Sequence, residues 1–184
     1  MKQPAVFLDR DGTLIEDAGF LRDAAEVDFF PQTFSALRGL RRFVLFIVTN
    51  QSGIAKGDIA AEEARAVNDY VVRRFAEEGI QIRAVYCCPH QRSDQCECMK
   101  PKPYFLELAQ RDHGIDLKRS FVVGDHPSDA EFGHTVGAKA IYVLTGHGVK
   151  HRAELRVPAR VVADIGAAAE LILESNGAAF VDRD

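Results

Sequence analysis

Asp9 and Asp11 stand two residues apart at the end of a short apolar run, and Asp125 follows a second such run. Same-side positions repeat every two residues in extended chain, so both carboxylates of the pair can face one centre while Arg10 points away. Asp-Gly dipeptides are also common turn formers, and a solvated turn is the plain reading of the pair alone. The third carboxylate tips the balance. Three carboxylates converging without cationic partners repel one another unless a hard cation neutralises them, and Mg²⁺ takes oxygen ligands of this kind. A carboxylate can then act as nucleophile, forming an acyl-phosphate that splits a phosphoester hydrolysis into two easier steps. A second acid nearby can protonate the leaving oxygen and later deprotonate the attacking water. The transferring phosphoryl group needs donors for its charged oxygens. Thr49 and Asn50 offer hydroxyl, amide and backbone N–H groups, and Lys100 offers a full positive charge.

A second constellation is Cys88, His90, Cys96 and Cys98, a C-x-H-x₅-C-x-C pattern. Three thiolates and one imidazole make a closed tetrahedral set, the mark of a structural rather than a catalytic zinc. Pro89, Ser93 and Asp94 favour the turning that brings the two arms together. Cys87 ends the preceding apolar run and reads as an inward-facing spectator. The alternative is a set of reduced cysteines beside an incidental histidine. All four cysteines fall between residues 87 and 98, which favours a metal over a disulfide framework. Lys100 follows the last ligand by two residues, so metal binding is expected to position this lysine.

These residues need a scaffold that gathers them. Ala5–Leu8, Phe43–Val48, Ile82–Cys87, Phe121–Val123 and Ala140–Leu144 read as buried strands. Between them lie helical patterns at Phe34–Arg41 and Glu62–Glu78. A third runs from Pro103 to a stop at Gly114, and two more start at Pro127 and Asp164. Such alternation predicts an α/β fold with a Rossmann-like doubly wound parallel sheet. Ligands bind such sheets at the carboxyl ends of the strands. The polar clusters 9–13, 49–52 and 124–125 each follow a strand, so all three are expected to meet at one edge. The tail from about Gly177 reads as loosely held.

The 184 residues suit one domain spanning 1–184, with the zinc loop at 88–98. Hydrophobic residues make up 47% and charged residues 27%, as in ordinary globular proteins. No apolar run reaches the ~20 residues of a membrane span, and the N-terminus lacks a signal-peptide pattern. A cytoplasmic location, no membrane and a monomer are the default expectations. A net charge of −4 argues against a nucleic-acid-coating protein. It leaves room for a small phosphorylated substrate, because a bound cation and placed lysines reverse the local field.

The run Phe7-Leu8-Asp9-Arg10-Asp11-Gly12-Thr13-Leu14 resembles the first motif of the haloacid-dehalogenase-like (HAD) phosphohydrolases. Val48-Thr49-Asn50 resembles the second motif, Lys100-Pro101 the third, and Val123-Gly124-Asp125 with Asp129 the fourth. The resemblance implies Asp9 as nucleophile and Asp11 as general acid/base. It implies Mg²⁺ held by Asp9, the Asp11 backbone carbonyl and Asp125, with Thr49 and Lys100 on the phosphoryl group. Asp129 has two readings, orienting Lys100 or the metal waters, or capping the helix near Pro127. The gaps between motifs are too short for the separate cap domain of many relatives. The cleft is therefore expected to be open, with the Asp17–Leu21 and zinc loops as its walls.

The zinc pattern followed by Cys-x-x-Lys-Pro resembles the D-glycero-D-manno-heptose 1,7-bisphosphate phosphatases and the related histidinol-phosphate phosphatases. Asp17, Gly19 and Phe20 look like the substrate loop of the heptose branch. The run Asn50-Gln51-Ser52-Gly53 fits that branch as well. A sugar bisphosphate is the favoured substrate, with histidinol phosphate second. Phosphotransfer or mutase chemistry is a further alternative, but an open site favours water as acceptor. A non-catalytic zinc-containing scaffold would more readily lose Asp9, Asp11, Thr49, Lys100 or Asp125. Two positions depart from the heptose pattern, Met99 and His126, where basic residues that contact substrate are usual. Gly146-His147-Gly148 reads as a plain turn rather than a flap over the site. Lys102 is a second candidate for the Lys100 role. His113, His134, His151, Arg41-Arg42 and Arg73-Arg74 read as surface, packing or capping residues.

Overall fold

The computed structural model describes residues 2–175, so the tail from Gly177 lies outside the described residues. Six parallel strands form one sheet in the order β3-β2-β1-β4-β5-β6. They are β1 Ala5–Leu8, β2 Val44–Asn50, β3 Ile82–Cys88, β4 Phe121–Gly124, β5 Lys139–Val143 and β6 Arg160–Val162. The doubly wound α/β expectation holds. β6 was not foreseen, because three half-exposed residues give no apolar run to detect. β2 runs two residues past its expected end, through Thr49 and Asn50, because β3 pairs with it up to Asn50↔Cys88.

Alternation along the strands feeds two cores. Val6, Leu8, Leu45, Ile47, Phe121 and Val123 point to one face, and Ala5, Phe7, Phe46, Val48 and Val122 to the other. The first face is covered by α1 (Thr33–Gly39), α3 (Ala61–Glu77) and α7 (Ile165–Ser175). In α3, Ala64, Val67, Val71 and Phe75 form the buried stripe, at helical spacing. The second face is covered by α4 (Tyr104–His113) and α5 (Pro127–His134). There Phe7 stacks on Phe46, Phe46 on Tyr86 and Tyr86 on Phe105, at centroid separations of 5.0, 5.7 and 5.1 Å. Two single-turn helices complete the set, α2 (Gly53–Lys56) and α6 (Gly148–His151). Both are too short to leave a periodic signal.

The chain leaves β1 toward β2 on one side and β4 lies on the other, so strand order reverses at β1. That reversal opens a crevice at the carboxyl end of β1. Asp9 sits there, its backbone N–H still bonded to the Val123 carbonyl at 2.9 Å. No inserted domain separates the strands among the described residues.

Candidate active site

A cleft of about 820 Å³ lies over the carboxyl ends of the strands, within the range of small-molecule sites. Asp9, Asp11, Asp17, Gly19, Phe20, Thr49, Asn50, Gln51, Ser52, Met99, Lys100, Asp125 and His126 all line it, as does Asp129. The sheet has therefore gathered every expected catalytic and substrate-binding residue around one space.

Lys100 is the hub of its floor. Its ammonium is 4% exposed and lies 2.6 Å from Asp9 Oδ1, 2.6 Å from Asp129 Oδ1 and 2.9 Å from the Val48 carbonyl. All three N–H donors are used. Burial opposes its charge, but Asp129 and Asp9 together raise its pKa above the usual lysine value. Lys102, at the cleft edge, instead pairs with Glu97 on the surface, at 3.1 Å. Asp129 does both jobs foreseen for it. Oδ1 holds Lys100, while Oδ2 accepts the His126 backbone N–H at 3.1 Å and so caps α5.

Carboxylate oxygens of Asp9, Asp125 and Asp129 lie within 4.8 Å of one another. Burial drives the Asp9 carboxyl well above the usual range; Lys100 opposes, and Asp129, Asp125 and Asp11 reinforce it. Burial and then Asp129 push Asp125 up to about 7. One ammonium does not balance three carboxylates. Asp129 is already committed, so Asp9 and Asp125 are the carboxylates that fit a hard divalent cation.

Asp11 is oriented differently from the expectation. The chain turns immediately beyond β1, so strand alternation no longer governs residues 10 and 11. Arg10 stays out of the cleft, and its guanidinium lies against the Asp11 carboxylate, with Nη2 at 2.9 Å from Oδ2. The Asp11 carboxylate stands outside the Asp9–Asp125–Asp129 group. The metal bond that the family resemblance implied for this residue is from its backbone carbonyl, not from this carboxylate. Gln51 Nε2 donates to Asp11 Oδ2 at 2.7 Å and to Thr49 Oγ1 at 2.8 Å. The Asn50 amide grips the Lys100 backbone at the cleft wall.

The segment after β5, expected as a plain turn, is a turn at 145–147, and it lies against the site. The His147 N–H donates to Asp125 Oδ2 at 2.8 Å, and Thr145 Oγ1 to the Gly12 carbonyl at 2.6 Å. The His147 ring lies 3.4 Å from Asp17, joining this segment to the opposite wall. Only the placement of β5 beside β4 reveals this; a Gly-His-Gly string carries no such signal. On that opposite wall, Gly19 N–H bonds Asp17 Oδ1 at 2.8 Å, and Phe20 at 44% exposure flanks the mouth. Lys56 lies over the Phe20 ring, 5.6 Å from its centroid. The rim adds Arg92 and Arg156, which sequence reading missed.

The Cys88, Cys96 and Cys98 sulfurs and His90 Nδ1 also lie within 4.8 Å of one another. Their closest separations include 3.2 Å for Cys88–Cys98, 3.6 Å for Cys88–Cys96 and 3.3 Å for His90–Cys98. A tetrahedral zinc with bonds of about 2.0–2.3 Å sets its ligand atoms roughly 3.3–3.8 Å apart, so the set fits. Cys87 points elsewhere, toward Arg10 and Asn68, and burial raises its thiol pKa.

The HAD-hydrolase-like family model matches residues 97–168. The D-glycero-β-D-manno-heptose-1,7-bisphosphate 7-phosphatase of Vibrio cholerae is 35% identical over 164 residues, covering 84% of this chain and 88% of that protein. The chain belongs to the HAD-like phosphatase family. The Campylobacter jejuni relative, named for the α-anomer of the same bisphosphate, is 38% identical and covers 72% of this chain and 77% of its own length. Among solved structures, the D,D-heptose 1,7-bisphosphate phosphatase of B. bronchiseptica, complexed with magnesium and phosphate, superposes with a TM-score of 0.86. That pair is 31% identical and covers 94% of this chain and 99% of the other. As a HAD phosphatase the chain is a hydrolase with a Mg²⁺-using fold, and no described helix is long and apolar enough to cross a membrane.

Proposed function

We propose that the chain removes the 7-phosphate from D-glycero-D-manno-heptose 1,7-bisphosphate through a phospho-Asp9 intermediate. The observation that carries the mechanism is the Lys100 ammonium 2.6 Å from Asp9 Oδ1 on the cleft floor. A nucleophile and a phosphate-binding cation are thereby set side by side. Asp9 attacks phosphorus, the ester bond breaks, and Asp11 gives its proton to the leaving oxygen. Water then attacks the phospho-aspartate, losing its proton to Asp11 and freeing phosphate. Lys100 and the Thr49 hydroxyl hold the phosphoryl oxygens in both steps. Asp9, Asp125 and the Asp11 backbone carbonyl would hold Mg²⁺, which when bound would supply positive charge against that building on the phosphoryl group. Cys88, His90, Cys96 and Cys98 would hold a structural zinc, which would fix the loop that delivers Lys100.

The kinship of relatives named for this sugar bisphosphate supports the substrate. Met99 carries no charge, and burial lowers the His126 pKa, with Asp129 opposing and His151 and Lys100 adding to the fall. The cations for the second phosphate are then Arg92 and Arg156 on the rim. Phosphate release with Mg²⁺ tests this, comparing the heptose bisphosphate with fructose 1,6-bisphosphate and histidinol phosphate on wild type and Asp9→Asn. A preference of about a hundredfold or more for the heptose ester, lost in Asp9→Asn, is expected. Even turnover of all three esters overturns the substrate and keeps the mechanism.

A further inference from the structure

Arg10 sits between the two reacting aspartates in the chain, yet it does not line the cleft, and it is only 1% exposed. Burying a guanidinium costs several kcal/mol unless it is paired and hydrogen-bonded. Its pairing is unusually complete. Nη2 lies 2.9 and 3.0 Å from the two Asp11 oxygens, Nε lies 3.2 Å from both, and Nη1 donates to Asn68 Oδ1 at 2.7 Å. Asn68 is a buried polar residue on the inward stripe of α3, between Val67 and Val71. It too stays out of the cleft.

We propose that Arg10, anchored by Asn68, is a positioning residue that aims the Asp11 carboxyl for proton transfer in both half-reactions. This rests on Asp11 being the acid/base. Oδ2 accepts from Arg10, from Gln51 and, at 3.4 Å, from Thr49, whereas among the described residues Oδ1 accepts only from Arg10. Oδ1, with two donor contacts against four on Oδ2, is the less engaged oxygen and the one placed to exchange the proton. A planar fork held at its far end fixes the carboxylate in rotation as well as in place. A lysine supplies the charge without the fork.

A structural role and a positioning role differ in which step they slow. p-Nitrophenolate leaves without needing a proton, whereas a sugar alkoxide does not. Water attack on phospho-Asp9 needs the base with either ester. With p-nitrophenyl phosphate, Arg10→Lys is expected to keep a stoichiometric nitrophenolate burst while steady turnover falls by on the order of 10²-fold, the scale of acid–base catalysis. With the heptose bisphosphate the same variant loses the burst as well, at nearly unchanged KM. Asn68→Ala, which touches neither aspartate, should show the same split at about tenfold, the low end for a supporting residue. It also supplies the readout should Arg10→Lys fail to fold. Asp11→Asn is the reference for the split, and Asp9→Asn gives no burst. Full activity in both test variants, or equal loss on both esters with the burst abolished, overturns the proposal. Absence of the split in Asp11→Asn itself overturns the acid/base assignment beneath it, which is a separate failure.

Discussion

Asn50 holds the Lys100 backbone from both sides, accepting its N–H on Oδ1 at 3.2 Å and donating from Nδ2 to its carbonyl at 3.4 Å. The tip of β2 is thereby joined to the end of the Cys/His loop. The lysine between Asp9 and Asp129 is thus set by two supports, one amide and one Cys/His cluster. Removing the amide leaves Lys100 in place but loosens it. Asn50→Ala is expected to lower kcat by about 10–100-fold, as for other residues that orient a reacting group. Steady-state kinetics at saturating Mg²⁺ checks this.

The second support is the Cys/His loop, with the zinc proposed for it. Binding energy for a structural zinc is folding energy, because the ligand set does not exist in the unfolded chain. Cys96→Ser should reduce zinc content and lower Tm by roughly 6–12 °C, as a loss of about 3 kcal/mol does in a domain of this size. Phosphatase activity should fall with it at temperatures where the fold persists. Metal analysis, calorimetry and kinetics on one preparation test the link. Unchanged activity in a zinc-free, folded protein would separate the loop from Lys100.

Much of this was legible because strand ends announce themselves. Ala5–Leu8, the β2 run and Phe121–Val123 are apolar on both sides, and each is followed at once by polar residues. Parallel topology then forces those polar residues to one edge. The Cys/His spacing was equally plain. The course of the chain beyond a strand was not. Arg10 turning onto Asp11 depends on Asn68, 58 residues away, and His147 reaching Asp125 depends on β5 lying beside β4. Neither relationship leaves a local pattern. Arg92 and Arg156 likewise look like any surface arginine until the loops carrying them are placed around the cleft.

The turn after β5 gives a sharp test of the metal site. Gly146 has φ +53°, and a Cβ there would lie 2.4 Å from both Asp125 Oδ2 and the Gly12 Cα. Asp125 or the Gly12 backbone must shift to admit it. Gly146→Ala is expected to raise the Mg²⁺ concentration for half-maximal activity by on the order of 10–100-fold, with substrate KM at saturating Mg²⁺ little changed. A Mg²⁺ titration of activity decides it.

The rim arginines predict a difference between esters. Arg92→Ala and Arg156→Ala should each lower kcat/KM for the heptose 1,7-bisphosphate by about 10–100-fold, the value of a charge-assisted hydrogen bond of roughly 1.5–3 kcal/mol. Turnover of p-nitrophenyl phosphate, which has no second phosphate, should be unaffected. Parallel loss on both esters would place these arginines in the fold rather than in specificity.

Asp125 predicts how the Mg²⁺-free protein responds to pH. Its folded pKa is about 7 against an ordinary 3.8, raised first by burial and then by Asp129. The folded state therefore binds this proton more tightly than the unfolded chain does. The resulting stability is fully present below pH 4 and is lost as pH rises through about 7. A shift of that size corresponds to on the order of 4 kcal/mol. Without Mg²⁺, wild type should lose stability between about pH 4 and 7.5, as read by urea unfolding. Asp125→Asn, which has no proton to lose, should show a flatter profile. Mg²⁺ binds the ionised carboxylate in competition with the proton, so adding it should restore wild-type stability most at the alkaline end and leave Asp125→Asn largely unmoved. A wild-type profile as flat as that of the variant would mean that the site tolerates its negative charge without a cation.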